Sequence, residues 1–278
     1  MWLINSSIGR KVVMSVTGIA LILFLTFHGA MNAVALFSGE AYNMICGLLG
    51  SNWYAILGTL GLAALAVIHI VYAFILTAQN RTARGDNRYE VATTVNPGHV
   101  EWQSKNMLVL GLIILLGILL HLFNFWYNMM WAEIVGAEHC IAPTDGFGWI
   151  VATFSCPLYV ALYIVWLAAI WLHLTHGFWS AMQTLGWSGK IWLNRWKCIG
   201  TIYVTLLMLV FLVVVLAFAF GCAPSLCSAD ACGAAAMDCC GAAANTCGAA
   251  AMDCCGAAAD TCCAAAEGCK EAAAACCQ

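Results

Sequence analysis

Residues 12–39 read VVMSVTGIALILFLTFHGAMNAVALFSG. The run lies between Lys11 and Glu40 and contains no charged side chain. A helix crossing the hydrocarbon core of a bilayer needs about 20 apolar residues, so the run is long enough for one span. It carries one group that stands out, His28. An imidazole in hydrocarbon is costly to bury, and its default reading is functional.

The same pattern recurs outward from this stretch. No charge falls between Glu40 and Arg81, Lys105 and Glu133, Asp145 and Lys190, or Lys197 and Asp230. The whole chain has 278 residues, 64% hydrophobic and 8% charged, with mean hydropathy +0.90. Soluble domains carry about 25% charged residues, so the sequence predicts an all-α integral membrane protein. Five transmembrane helices are expected near 12–37, 53–79, 106–131, 150–185 and 198–221. The fourth interval exceeds one span, but with Pro157 near its start and Gly186 near its end it is taken as one long, tilted helix. Ala33-Val34-Ala35 resembles a signal-peptidase site. The uncharged run is longer than a usual signal core of about 7–15 residues, so the segment is expected to be retained.

Basic residues give an orientation. Arg10, Lys11, Arg81, Arg84, Arg88, Lys105, Lys190, Arg195 and Lys197 all fall on one side of this topology. The loops at about 38–52 and 132–149 have none. By the positive-inside rule the N-terminus is cytoplasmic and the fifth helix exits outward. Trp2, Trp53, Trp102, Trp131, Trp149, Trp187, Trp192 and Trp196 fall near helix ends, as an interfacial aromatic belt does. The basic face is a candidate docking platform. The opposite loops carry Glu40, Glu133, Glu138 and Asp145.

His28 has counterparts in the next three helices: His69, His121 and His173. Four histidines on four helices suggest two pairs. A bis-histidine pair is what a haem iron needs for electron transfer, and axial ligation is one of the protein's controls over haem. Counting from the basic anchors, His28 and His121 lie about 25 Å along their helices, and His69 and His173 about 18–20 Å. The predicted pairs are therefore His28 with His121, nearer the outside, and His69 with His173, nearer the inside. His176, one turn after His173, lacks the spacing and glutamate of a zinc helix motif and is read as a neighbour. His99 and His139 are read as loop residues. Gly18, Gly29, Gly58, Gly61, Gly111, Gly117 and Gly177 would let a flat macrocycle or another helix approach. Ser6, Ser7, Arg10, Lys11, Lys190 and Arg195 are candidate partners for haem propionates at the membrane edge.

The run Ser6-Ser7-Ile8-Gly9-Arg10-Lys11, then Met14, Thr17-Gly18 and Phe27-His28-Gly29, resembles the start of the single-chain, five-helix, di-haem cytochrome b subunit of succinate dehydrogenase and quinol:fumarate reductase. Leu120-His121-Leu122 and Leu172-His173-Leu174-Thr175-His176-Gly177-Phe178-Trp179-Ser180, continuing through Gln183-Thr184-Leu185-Gly186, extend the resemblance. It covers roughly residues 1–221. It implies a five-helix bundle enclosing two haem b groups, proximal at His69/His173 and distal at His28/His121. It also implies an anchor in the cytoplasmic membrane of a prokaryote, holding an FAD-containing flavoprotein and an iron–sulfur subunit on its inner face. Electrons would pass between the iron–sulfur subunit and a membrane quinone, usually menaquinone in this family. The succinate chemistry would belong to the flavoprotein, and no nucleic-acid partner is expected. The alternative is a di-haem anchor of another respiratory enzyme, such as nitrate reductase, formate dehydrogenase or hydrogenase. Some members of the family place a glutamate shortly before the helix 4 ligand; here Trp171 stands two residues before His173.

Residues 222–278 differ in kind. They hold 13 of the 17 cysteines and a 15-residue repeat that starts at Cys232 and again at Cys247. Outside the cytoplasm such cysteines can form disulfides, and thiolates can bind soft metals. The composition predicts a low-complexity tail without a core.

Overall fold

The computed structural model describes residues 6–84, 102–137, 139 and 141–227. Arg88, His99, Glu138 and the cysteine repeat from Cys232 lie outside the described residues. Among those described there is no strand. Helix α1 is Ser7–Val34, α2 Gly39–Leu49, α3 Trp53–Arg84 and α4 Trp102–His121. A π-helix, Leu122–Trp131, continues α4 directly and leads into the short α5, Ala132–Val135. Then follow α6 (Gly146–Phe154), α7 (Pro157–Thr184), α8 (Trp192–Ala219) and a 3-10 turn, Pro224–Cys227.

Five helical stretches are long and apolar enough to cross a membrane: Ser7–Val34, Trp53–Ala83, Trp102–Val135, Pro157–Thr184 and Trp192–Ala219. The protein is a multi-pass, all-helical membrane protein. The most apolar stretch of α3 has no buried residue, and Leu57, Leu60, Val67 and Val71 are exposed along it. In lipid, such a face needs no protein partner. Trp53, Trp102, Trp131, Trp187 and Trp192 are exposed near span ends, where indole rings favour the interface.

Local chemistry sets the helix limits. The Ser6 hydroxyl accepts from the Gly9 amide at 2.9 Å and starts α1, an N-capping bond that satisfies a first-turn amide. The ends of α7 and α8 turn at Gly186 (φ 87) and Gly221 (φ 63), left-handed conformations that glycine adopts without a Cβ penalty.

Three features depart from the expected layout. The stretch expected to form one tilted helix near 150–185 is two helices, broken at Ser155 and Cys156. Pro157 lacks an amide hydrogen and disfavours helix at the residue before it, but suits the first helical position. The loop near 38–52 contains α2, capped by Ser38, whose side chain accepts from the Ala41 amide. The third span ends as a π-helix, so its last turns are wider than an α-helix.

The chain divides into two compact units. The first comprises Met1–Phe27, Leu57–Leu116 and Trp166–Met208; the second comprises His28–Ile56, Gly117–Val165 and Leu209–Gln278. In the first unit Thr26 and Tyr203 share a hydroxyl–hydroxyl hydrogen bond, and Trp166 donates to the Ile114 carbonyl at 3.1 Å. Phe178 packs so closely on Gly200 that a Cβ there would lie 2.5 Å from its ring. The core of the second unit centres on α6, with Phe147, Ile150 and Phe154 buried and Phe147 edge-on to Phe218 at 5.5 Å. Ser225 is fully buried there. Its hydroxyl donates to the Ala35 carbonyl at 2.6 Å and its amide to Leu36 at 3.2 Å.

Candidate haem-ligand pairs

The four intramembrane histidines divide between the units as the depth count divides them. His69 and His173 fall in the first unit, and His28 and His121 in the second.

In the second unit the His28 and His121 rings are 5.7 Å apart between centroids, with planes at 87°. His28 and His121 are the residues of this unit that would hold a metal-centred group between them. Phe211 lies 5.9 Å from His28 and Phe125 5.1 Å from His121, so an apolar wall surrounds the pair. Each ring also meets an asparagine one turn further along the chain, or a tyrosine held by one. Asn32 donates to the His28 carbonyl at 2.8 Å and its amide nitrogen lies 3.4 Å from Nε2. Tyr42 on α2 donates to the Asn32 oxygen at 3.2 Å. His121 Nδ1 is 3.5 Å from the Tyr163 hydroxyl, which accepts from buried Asn124 at 3.4 Å. The π-helix supplies Asn124.

In the first unit His69 lies on α3 and His173 on α7, with His176 one turn further along α7. His173 Nδ1 is buried with no hydrogen-bond partner among the described residues. His69 Nδ1 is 3.1 Å from the hydroxyl of Thr17, a buried residue. Gly18 is the close-approach glycine: a Cβ there would sit 3.3 Å from His69 Cε1. Gly58, Gly61, Gly111 and Gly177 have nothing within 4 Å of a Cβ position, so close packing among the described residues does not require them. His176 packs edge-on to Trp179 at 4.8 Å.

A cleft of about 500 Å³ opens in this unit, lined by Ile8, Lys11, Met14, Ser15, Leu76, Ser180, Gln183 and Thr184. Leu76 and Ser180 each follow a histidine by seven residues, two helical turns or about 10 Å. Lys11 precedes Gly18 by the same interval. Of the candidate propionate partners, only Lys11 lines the cleft. Ser6 is engaged in capping α1, and Ser7 is exposed. With the Gln79 amide turned so that its oxygen faces Arg10, the guanidinium donates to it at 3.1 and 3.3 Å. Lys190 is exposed, and Arg195 stacks over Trp192 at 5.1 Å. Ser180, Gln183 and Thr184 are polar lining residues whose spacing from His173 was the only signal available in the sequence.

No three His, Cys, Asp or Glu residues converge among the described residues. A structural zinc site takes four protein ligands and a catalytic one three. A lone pair of imidazoles instead suits a metal that brings its other ligands with it, as haem iron does. The buried orphan nitrogen of His173 and the glycine face against His69 are compatible with a ring-shaped cofactor.

One carboxylate of the second unit, Asp145, has structural work. Asp145 caps α6, accepting from the Gly148 amide at 2.9 Å and from Asn43 at 2.7 Å. Asn43 in turn accepts from the Phe147 amide at 2.8 Å, which ties α2 to α6. Behind this junction burial pushes the Tyr42 phenol up, and burial raises the Cys46 thiol to about 11 against the opposing hydrogen bond from Tyr42.

No family model matches the chain, and no curated protein or solved structure matches it.

Proposed function

We propose that this protein is the membrane anchor and electron-transfer subunit of a succinate:quinone oxidoreductase, with two bis-histidine b haems. The observation that supports it most is the close approach of the His28 and His121 rings, beside the placement of His69 and His173 together in the other unit, with no group of three metal-ligating side chains among the described residues. When bound, each haem supplies a one-electron iron couple that the polypeptide lacks. The choice of enzyme rests on the sequence resemblance, and the ligand geometry supports only the haem part of the reading.

The chain's own residues orient imidazoles and keep water from them. Thr17, Asn32, Asn124 and Tyr163 supply polar contacts at the histidines. Lys11, with Ser15, Ser180, Gln183 and Thr184, supplies a cation and neutral donors for the carboxylates of the haem at His69/His173. The basic loops form the cytoplasmic docking face for the flavoprotein and iron–sulfur subunits, and the electrons pass to or from menaquinone in the bilayer. The protein resides in the cytoplasmic membrane of a prokaryote with its N-terminus inside.

The purified protein should show a reduced-minus-oxidised b-type spectrum with two haems per chain. Absence of haem would sink the proposal. Co-purification of a covalent flavoprotein supports the succinate:quinone assignment, whereas two haems with a molybdenum or nickel enzyme would assign the anchor to another respiratory complex.

A further inference from the structure

We propose that Thr17 is the positioning residue of His69: its hydroxyl oxygen accepts the Nδ1 proton and leaves the Nε2 lone pair for the metal. The inference rests on the bis-histidine reading above and deepens it.

The argument is a count of protons. The Thr17 hydroxyl lies 2.9 Å from the Val13 carbonyl and 3.1 Å from the Met14 carbonyl. A helical threonine commonly returns its proton to the carbonyl one turn earlier. A hydroxyl has one proton and two lone pairs. Donation to the helix therefore leaves the oxygen as an acceptor toward His69 Nδ1 at 3.1 Å. A neutral imidazole carries a single N–H, so protonated Nδ1 means bare Nε2. Thr17 is 5% exposed, which leaves little room for water to replace it. A Cβ at position 18 would lie 3.3 Å from His69 Cε1, so the glycine leaves the adjoining ring edge uncrowded.

The two histidines of this pair are thereby made unequal. His69 has a hydrogen-bonded Nδ1, whereas His173 Nδ1 is buried without a partner among the described residues. A hydrogen bond at the remote nitrogen raises the basicity of a ligating imidazole. A more basic ligand favours the oxidised metal, so Thr17 holds the potential of this haem down.

Full-length Thr17→Val and Thr17→Ser proteins, purified in detergent, provide the test. Valine keeps the shape of threonine without its oxygen, and serine keeps the oxygen. The readouts are haem content, the midpoint potential of each b haem and the low-spin ferric electron paramagnetic resonance signals. A His173→Ala protein identifies which haem belongs to this pair. The valine variant should raise the potential of that haem and move its signal, leaving the other haem unchanged; serine should stay near the native values. Loss of that one haem with valine and its retention with serine would also support the proposal. Two haems with native potentials in the valine variant would overturn it, as would serine behaving like valine or a shift confined to the other haem. A native protein without haem would instead overturn the underlying reading.

Discussion

Nδ1 of His121 stands 3.5 Å from the hydroxyl of Tyr163, and that oxygen also receives the side-chain amide of Asn124 at 3.4 Å. An oxygen with two lone pairs can accept from both. The phenol thus supplies a polar partner for the Nδ1 side of the ring. Removing a polar partner of a metal-bound imidazole typically weakens metal affinity by about 10–100-fold. Tyr163→Phe should weaken haem retention at this pair by about that factor while the other haem stays bound. Haem-to-protein ratios measured after graded detergent washing will show the difference.

The two pairs make a stronger prediction about stoichiometry. His69→Ala and His173→Ala should each remove the same haem, and His28→Ala and His121→Ala the other. Potentiometric titration of the remaining haem identifies which is lost. Loss of a common haem from His28→Ala and His69→Ala would falsify the pairing.

A tight contact between α2 and α6 should be sensitive to one methyl group. A Cβ at Gly146 would collide with the Cys46 sulfur and lie 3.0 Å from Met129 Cε and 3.1 Å from Tyr42 Cε1. Overpacking a filled site costs about 1–3 kcal/mol, so Gly146→Ala should lower Tm in detergent. Cys46→Ala opens space at the same place, and the double variant should recover part of the loss. Such coupling is expected of residues in contact, and strictly additive Tm changes would count against the collision.

The same thiol gives a pH dependence with a defined sign. Burial holds the Cys46 thiol up to about 11, whereas an unfolded cysteine titrates near about 8.5. The folded state therefore keeps a proton that the unfolded state releases. The stability associated with this group is fully present below about pH 8.5 and declines as pH rises to about 11. Thermal unfolding across this window should fall more steeply with pH for the native protein than for Cys46→Ala.

Hydropathy and charge made the five spans legible, because the intervals between Lys11, Glu40, Arg81, Lys105 and the later charges are long and unambiguous. Counting along helices of fixed rise placed His28 at the depth of His121, and these two rings lie 5.7 Å apart. The break before Pro157 was less legible, since apolar residues on both sides disguise it. The π-helix after His121 was not legible at all: Leu122–Trp131 is mostly apolar and aromatic, interrupted by Asn124 and Asn128, and has no glycine or proline to mark a change of winding. The α2 helix did leave a signal, Ser38 followed by Glu40, a cap with an acid in the first turn. Asn32, Asn124, Tyr163 and Thr17 are isolated polar residues in apolar helices, and only the folded arrangement shows which imidazole each one meets.

The clasp made by Ser225 has a consequence in time. Ser225 closes onto Ala35 across 190 residues of chain. At a synthesis rate of about 5–20 residues per second, the end of the first helix waits about 10–40 s for this partner. His28 lies one helical stretch before that end, so its surroundings are finished only when the fifth span has emerged. The newborn chain thus passes through an interval in which Ala35 and Leu36 lack the hydrogen bonds that Ser225 later supplies.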